Sequence, residues 1–313
     1  MKKIVVAGGG VLGSQIAFQS AYCGFDVTIW LRSESSIGRT KPKLEAIKNT
    51  YIEKINKMAT DEGKSVSVWA RGLSDLDSFN KEECLKKIEK ASSSLKIELD
   101  LQKAVKDADL IIESMSEDFK QKQEFYKKLS SFIEEKTILV TNSSTLLPSK
   151  LAKFTGCPER FLALHFANEI YFNNTAEIMA HKKTQPKYFD DVIEFAKEIR
   201  MIPLPVRKEK AGYLLNSMLV PFLFSALDLL ATGVSDCESI DKAWTLGTGS
   251  PKGPFQILDV VGLKTAYNIV EMYLKVPAFL APYNFKKIAE LLKKYIDEGK
   301  LGVSSKEGFY KYK

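Results

Sequence analysis

A doubly wound α/β sheet followed by an all-α domain is the fold that this 313-residue sequence predicts. Three observations point there. Up to residue 206, short β-rich runs alternate with amphipathic helical stretches. A glycine-rich turn follows the first of those runs. Beyond residue 206 the β-rich runs stop, and the rest reads as helices.

The expected strands are Lys3 to Ala7, Asp26 to Trp30, Ile97 to Leu99, Leu110 to Glu113, Thr137 to Thr141, Phe161 to His165, Glu177 to Ala180 and Pro203 to Val206. Helices fill most of the gaps. One is an excursion after the second strand, Lys41 to Met58, where Leu44, Ile47, Tyr51, Ile55 and Met58 recur at three- and four-residue spacing. In the helical part, Pro251-Lys252-Gly253-Pro254 reads as a turn between two helices, and Ser304 to Lys313 as an ordered strap. The chain is longer than one compact domain usually is, so two domains are expected, 1–206 and 207–313.

Composition excludes several classes. The net charge of +7 is modest for this length, and the lysines are spread along helices without interleaved aromatics. That suits an anionic small molecule and no nucleic acid. The most apolar stretch, Ala211 to Val234, is interrupted by Asn216, Pro221, Ser225 and Asp228, so it reads as a buried interface helix, with no membrane partner. Four dispersed cysteines, Cys23, Cys84, Cys157 and Cys237, match neither a zinc site nor a disulfide framework, and no metal is expected. Glycines break the apolar run after Met1-Lys2-Lys3, so the start reads as a first strand and the protein as cytoplasmic.

Ile4 to Ala17 supplies a strand, the turn Gly8-Gly9-Gly10-Val11-Leu12-Gly13 and a helix start, the dinucleotide-binding order. Gly8 serves the tight turn, Gly10 the approach of the pyrophosphate, and Gly13 the packing of helix on strand. The first N–H groups of the helix, from Val11 and Leu12 onward, face the phosphates.

Only two histidines exist, His165 and His181. His165 ends an apolar strand in the second half of the sheet, where ligands bind. Glu177 opens the next strand and can bond the imidazole and stabilise its protonated form. On residue chemistry alone, this pair is either an acid/base dyad or a satisfied structural pair. His181 precedes Lys182-Lys183 and reads as a surface residue.

The chain resembles the 3-hydroxyacyl-CoA dehydrogenase family in its compact, short-chain 3-hydroxybutyryl-CoA form. The resemblance is carried by the glycine fingerprint, Asp109-Leu110-Ile111-Ile112-Glu113, Glu117 through Lys122, Thr141-Asn142-Ser143-Ser144, His165-Phe166-Ala167-Asn168, Gly212-Tyr213-Leu214-Leu215-Asn216, Pro251-Lys252-Gly253-Pro254-Phe255 and Gly308-Phe309-Tyr310. It implies a Rossmann domain, an acyl-CoA substrate and hydride exchange with NAD(P). It implies His165 as general acid/base on the C3 oxygen, oriented by Glu177, with Ser144 and Asn216 bonding substrate oxygens. Glu117, Lys122, Ser144 and Asn168 match positions near the nicotinamide and its ribose. Lys48, Lys54 and Lys57 resemble a basic helix that contacts CoA phosphates. A homodimer through the helical domain is implied as well.

Two departures from the family stand out. Glu169 replaces the usual proline after H-F-x-N, which leaves acyl preference open. The acidic position at the end of the second strand falls on Leu31, followed by Arg32 and Ser33, so no carboxylate repels a 2′-phosphate and NADP is favoured over NAD. The alternatives are a dehydrogenase of a free hydroxy acid or a carnitine- or gulonate-like substrate, and a non-catalytic cofactor-binding relative.

Overall fold

The computed structural model of the chain describes residues 1–65, 68–277 and 279–312. It divides into two compact units, Met1–Leu214 and Leu215–Lys313. That division comes later than residue 206 because the connecting segment bonds back to the sheet. The Tyr213 hydroxyl donates to the Ser143 carbonyl, and the Leu214 N–H donates to Glu177.

The first unit holds β1 (Lys3–Ala7), β2 (Asp26–Trp30), β3 (Lys96–Glu98), β4 (Leu110–Glu113), β5 (Ile138–Thr141), β6 (Phe161–Phe166), β7 (Thr175–Met179) and β8 (Ile202–Val206). They make one sheet in the order β3-β2-β1-β4-β5-β6-β7-β8, and every neighbouring pair is parallel except β6 and β7. Each expected strand is present, with ends shifted by a residue or two. The shift that matters is in β7, where Glu177 sits mid-strand instead of opening it.

The central strands are buried on both faces, which is why they read as unbroken apolar runs. Ile4 and Val6 enter one core with Phe18, Ile29, Tyr51 and Phe195, whereas Val5 and Ala7 enter the other with Phe125, Tyr126 and Phe161. β8 pairs only with β7, and this edge tolerates Pro203 and Pro205. The helices are α1 (Val11–Tyr22), α2 (Glu34–Met58), α3 (Lys81–Ser94), α4 (Leu101–Val105), α5 (Phe119–Leu129), α6 (Pro148–Leu151) and α7 (Pro186–Glu198). Asn80, Asp100 and Asp118 cap α3, α4 and α5 by accepting an N–H three residues on. α2 begins a full two turns before the expected Lys41, with Ser33 at its N-cap.

The second unit comprises α8 (Leu215–Ala231), α9 (Cys237–Thr248), α10 (Pro254–Val261), α11 (Leu263–Tyr273) and α12 (Phe285–Asp297) around Phe224, Leu227, Phe255, Leu258, Val270, Phe285 and Leu292. Among the described residues no helix is long and apolar enough to cross a membrane. The C-terminal strap is ordered because the buried Asp259 carboxylate accepts the N–H groups of Phe309 and Tyr310 and the Tyr312 hydroxyl. Lys313 lies outside the described residues.

Candidate active site

The chain runs outward from β1 through β2 to β3, then returns to β4 on the other side of β1. In such sheets the crevice beyond the carboxyl ends of the strands, at that reversal, is the ligand site. Gly8 follows β1 at φ +124°, and a Cβ there would lie 2.4 Å from the Ser114 carbonyl oxygen. A Cβ on Gly13 would lie 2.2 Å from the Gly8 carbonyl oxygen. On Gly10 it would meet nothing within 4 Å, so this backbone faces open space. The Gly10 N-cap has no side chain to satisfy the first N–H groups of α1, so those of Val11 and Leu12 are offered to an anion. These residues fit a dinucleotide pyrophosphate.

A cavity of about 230 Å³ adjoins this turn, lined by Gly8 to Gly10, Trp30, Leu31, Arg32, Ser36, Arg39, Thr40, Lys43 and Ser114 to Ser116. Leu31 is 2% exposed and packs into the core, its N–H bonded to the Glu98 carbonyl. Arg32 donates to Gln121 at 3.2 Å, and Arg39 to the Ser36 hydroxyl at 3.0 Å. Sequence reasoning found Arg32 and Ser33 but missed Ser36, Arg39 and Lys43. Their three- and four-residue spacing puts them on one helical face, a signal hidden when the helix is started at Lys41.

His165 and Glu177 face each other directly in the antiparallel register of β6 and β7. The His165 Nδ1 is 3.0 Å from Glu177 Oε2, and its Nε2 is 3.1 Å from the Ser144 hydroxyl. A carboxylate only accepts, so the neutral ring carries its proton on Nδ1 and keeps Nε2 free to take one. The Leu214 N–H donates to Glu177 Oε1 at 2.9 Å, fixing the carboxylate. Both members of the pair are buried. The aromatic ring of Tyr213 lies against the imidazole, with ring centres 4.5 Å apart and planes 11° from parallel. In the sequence, Tyr213 and Leu214 stand out only as members of the Gly212–Asn216 motif, with nothing to signal a role for either.

Ser144 is placed by a carboxylate. Glu117 Oε1 accepts from the Ser143 and Thr145 hydroxyls and from the N–H groups of Thr145 and Leu146, pinning the turn after β5. Burial pushes the Glu117 pKa up, but the bonds from Ser143 and Thr145 and the charge of Lys122 outweigh it and hold it below the usual carboxylate range. Lys122 is 1% exposed, with its ammonium 2.6 Å from Glu113 and 3.7 Å from Glu117. Its structural partner is therefore Glu113, a buried carboxylate that also accepts from Tyr126, Thr141 and the Met115 N–H. Reasoning from residue order gave Glu113 no task. Asn168 is exposed, and its carbonyl accepts from the Asn173 amide.

At Glu169 the backbone takes φ +57°, a value proline cannot adopt. The Gln15 side chain on α1 accepts the N–H groups of both Glu169 and Ile170, and the Glu169 carbonyl accepts those of Phe172 and Asn173. The departure from the family proline thus goes with a tight turn tied to the glycine-loop helix. Of the three α2 lysines expected to meet CoA phosphates, Lys48 is paired with Glu89 at 3.1 Å, Lys54 is half-buried and Lys57 exposed. Asn216 is the second residue of α8, in the other unit. His181 is buried, contrary to the surface residue expected. It packs beside Phe161, the first residue of β6, at the opposite end of that strand from His165.

Comparison with known proteins covers the whole chain. The family described as 3-hydroxyacyl-CoA dehydrogenase, NAD binding domain, matches residues 3–210. The family described as 3-hydroxyacyl-CoA dehydrogenase, C-terminal domain, matches residues 212–312. The mitochondrial hydroxyacyl-coenzyme A dehydrogenase of Homo sapiens is 32% identical over 100% of this chain and 92% of its own length. The 3-hydroxybutyryl-CoA dehydrogenase of Clostridioides difficile is 30% identical over 99% of each. A solved diketoreductase, described by its substrate-directed dual catalysis of dicarbonyl compounds, is 43% identical with a TM-score of 0.85, over 100% of this chain and 99% of that one.

Proposed function

Because the chain belongs to the 3-hydroxyacyl-CoA dehydrogenase family, we propose that it interconverts a short (S)-3-hydroxyacyl-CoA, such as 3-hydroxybutyryl-CoA, and the 3-ketoacyl-CoA. The observation that carries this reading is the Ser144–His165–Glu177 chain of contacts at the carboxyl edge of the sheet. A bound nicotinamide dinucleotide would accept the C3 hydride in oxidation and return it in reduction. In oxidation Nε2 of His165 takes the C3 hydroxyl proton, and Glu177 stabilises the imidazolium that results. A substrate oxygen bonded to Nε2 also comes within reach of the Ser144 hydroxyl, a neutral donor to the developing carbonyl. In reduction the proton runs the other way. Asn216 is assigned the second bond to substrate oxygens, Glu117 and Asn168 the nicotinamide side, and Lys122 the support of Glu117. Lys54 and Lys57 are the better candidates for CoA phosphates, since Lys48 already has Glu89.

The cofactor is NADP(H) in preference to NAD(H). Arg32, Arg39 and Lys43 line the cavity beside the glycine turn, with Ser33 at the N-cap of α2, and the end of β2 carries Leu31 instead of an acid. The enzyme acts in fatty-acid metabolism in the cytoplasm, a compartment consistent with four free cysteines. Exposed Met218, Leu246, Val260 and Met272 on the helical unit support a homodimer through it, which chromatography at micromolar concentration tests.

One observation favours a second substrate. The 43% identical diketoreductase is described as acting on dicarbonyl compounds, and Glu169 puts a carboxylate beside Gln15 and Tyr171, where the family has proline. Comparing kcat/KM for acetoacetyl-CoA with that for a CoA-free dicarbonyl compound decides between the two. Inertness toward both removes the proposal.

A further inference from the structure

Tyr213 is buried and takes φ +51°, directly after Gly212 at φ +80°. A left-handed backbone is an outlier for a bulky aromatic residue, and such outliers persist only where the surroundings enforce them. The surroundings here are the catalytic groups. The ring is stacked on His165, the hydroxyl donates 2.7 Å to the Ser143 carbonyl, and the next residue, Leu214, donates its N–H to Glu177.

We propose that Tyr213 is a positioning residue for the acid/base machinery, holding the plane of the His165 imidazole by stacking and the Ser143–Ser144 peptide by its hydroxyl, with Leu214 completing the grip on Glu177. This proposal rests on the reading of His165 as the acid/base. One residue thereby sets two parts of the site that come from different strands, the ring on β6 and the serine after β5. A histidine bonded through Nδ1 alone can still swing about that bond. A flat ring parallel to it removes the swing and leaves Nε2 aimed at Ser144.

The test uses three variants of the full chain. Tyr213→Met removes the ring with little change of bulk, Tyr213→Phe keeps the ring and removes only the hydroxyl, and His165→Gln assigns the imidazole signals, which number two because the chain has two histidines. In spectra of histidine-labelled protein, Tyr213→Met should move the His165 Cε1–H resonance downfield and broaden it as ring shielding and the single rotamer are lost. The His181 resonance should stay. In Tyr213→Phe the His165 resonance should stay too. With acetoacetyl-CoA, Tyr213→Met should lower kcat by about ten- to a hundredfold, as expected for a misaimed catalytic group, with KM and cofactor affinity within about twofold. Tyr213→Phe should recover most of that loss. A His165 resonance unmoved in Tyr213→Met overturns the proposal, as does a kcat in Tyr213→Met equal to that of an active parent. The spectra need no substrate, so an inert parent with a displaced His165 signal in Tyr213→Met sinks the activity reading and supports the positioning role.

Discussion

Replacing Arg32 and Arg39 together with glutamine should remove most of the proposed preference for NADPH over NADH. Both guanidinium groups line the cavity beside the Gly8–Gly10 turn, and both are exposed. A hydrogen bond from a guanidinium to a phosphate contributes about 1.5–3 kcal/mol. Exposure and salt screening favour the low end, which is about tenfold per arginine. If the two losses add, kcat/KM for NADPH should fall about a hundredfold, and that for NADH by no more than about threefold. Lys43 remains, so some preference should survive. The assay is the ratio of kcat/KM for NADPH and NADH with acetoacetyl-CoA, at low and at high salt. Raising the salt should shrink the parent's ratio and leave that of the double variant nearly flat. An acid placed at residue 31 is a poor complementary test, because Leu31 is 2% exposed and its replacement would bury a carboxylate in the core. A parent that favours NADH, or a double variant with the parent's ratio, would refute the reasoning.

His165→Gln should leave the melting temperature and cofactor affinity near those of the parent and lower turnover about a hundredfold or more, and Glu177→Gln should lower turnover less; turnover near the parent's in His165→Gln removes the acid/base role. Lys122→Ala should destabilise the fold by about 3–5 kcal/mol, read as a lower urea midpoint, because it strands the Glu113 carboxylate in the core without its cation. Glu117 has its carboxyl held below the usual range in the folded state, so its contribution to stability is complete above the unfolded value of about 4.3 and is lost as the pH falls through the lower folded value. Thermal melts of the parent and Glu117→Gln should therefore differ at neutral pH and converge in acid; a constant gap down to pH about 3 contradicts the network. Glu169→Pro should not restore a family-like loop but disrupt this one, since φ +57° is closed to proline, with substrate KM rising and cofactor affinity kept.

Much of this protein was legible in the order of its residues, for reasons that are local. The strands of a two-sided sheet must be apolar throughout, so Ile4 to Ala7, Leu110 to Ile112 and Phe161 to Leu164 announce themselves. Gly8 and Gly13 sit where a Cβ would strike backbone, so the glycine spacing is itself a steric record of the turn. With two histidines in the chain, His165 and a carboxylate on the next strand were within reach of inference.

What the sequence hid has physical causes. The start of α2 was missed because Ser33 to Thr40 carries a single large apolar residue, Ile37, too little to mark a stripe by itself, and with it went the face bearing Ser36, Arg39 and Lys43. His181 looked like surface beside two lysines, yet Thr184, bonded to the carbonyls of both His181 and Phe161, holds the loop after β7 so that the imidazole packs beside Phe161. Gln15 reads as one polar residue of a helix, until the turn at Glu169 brings two N–H groups to it across more than a hundred and fifty positions. Glu113 likewise acquires its cation only when α5 packs on the sheet and carries Lys122 inward. Tyr213 is the sharpest case, because nothing near it in sequence calls for a stacked ring. Local preference decides which residues pair within an element, since neighbours along the chain are neighbours in space. The brace of the site joins β5, β6, β7 and the segment before α8, and such contacts exist only after the sheet has closed, so tertiary structure alone could decide them.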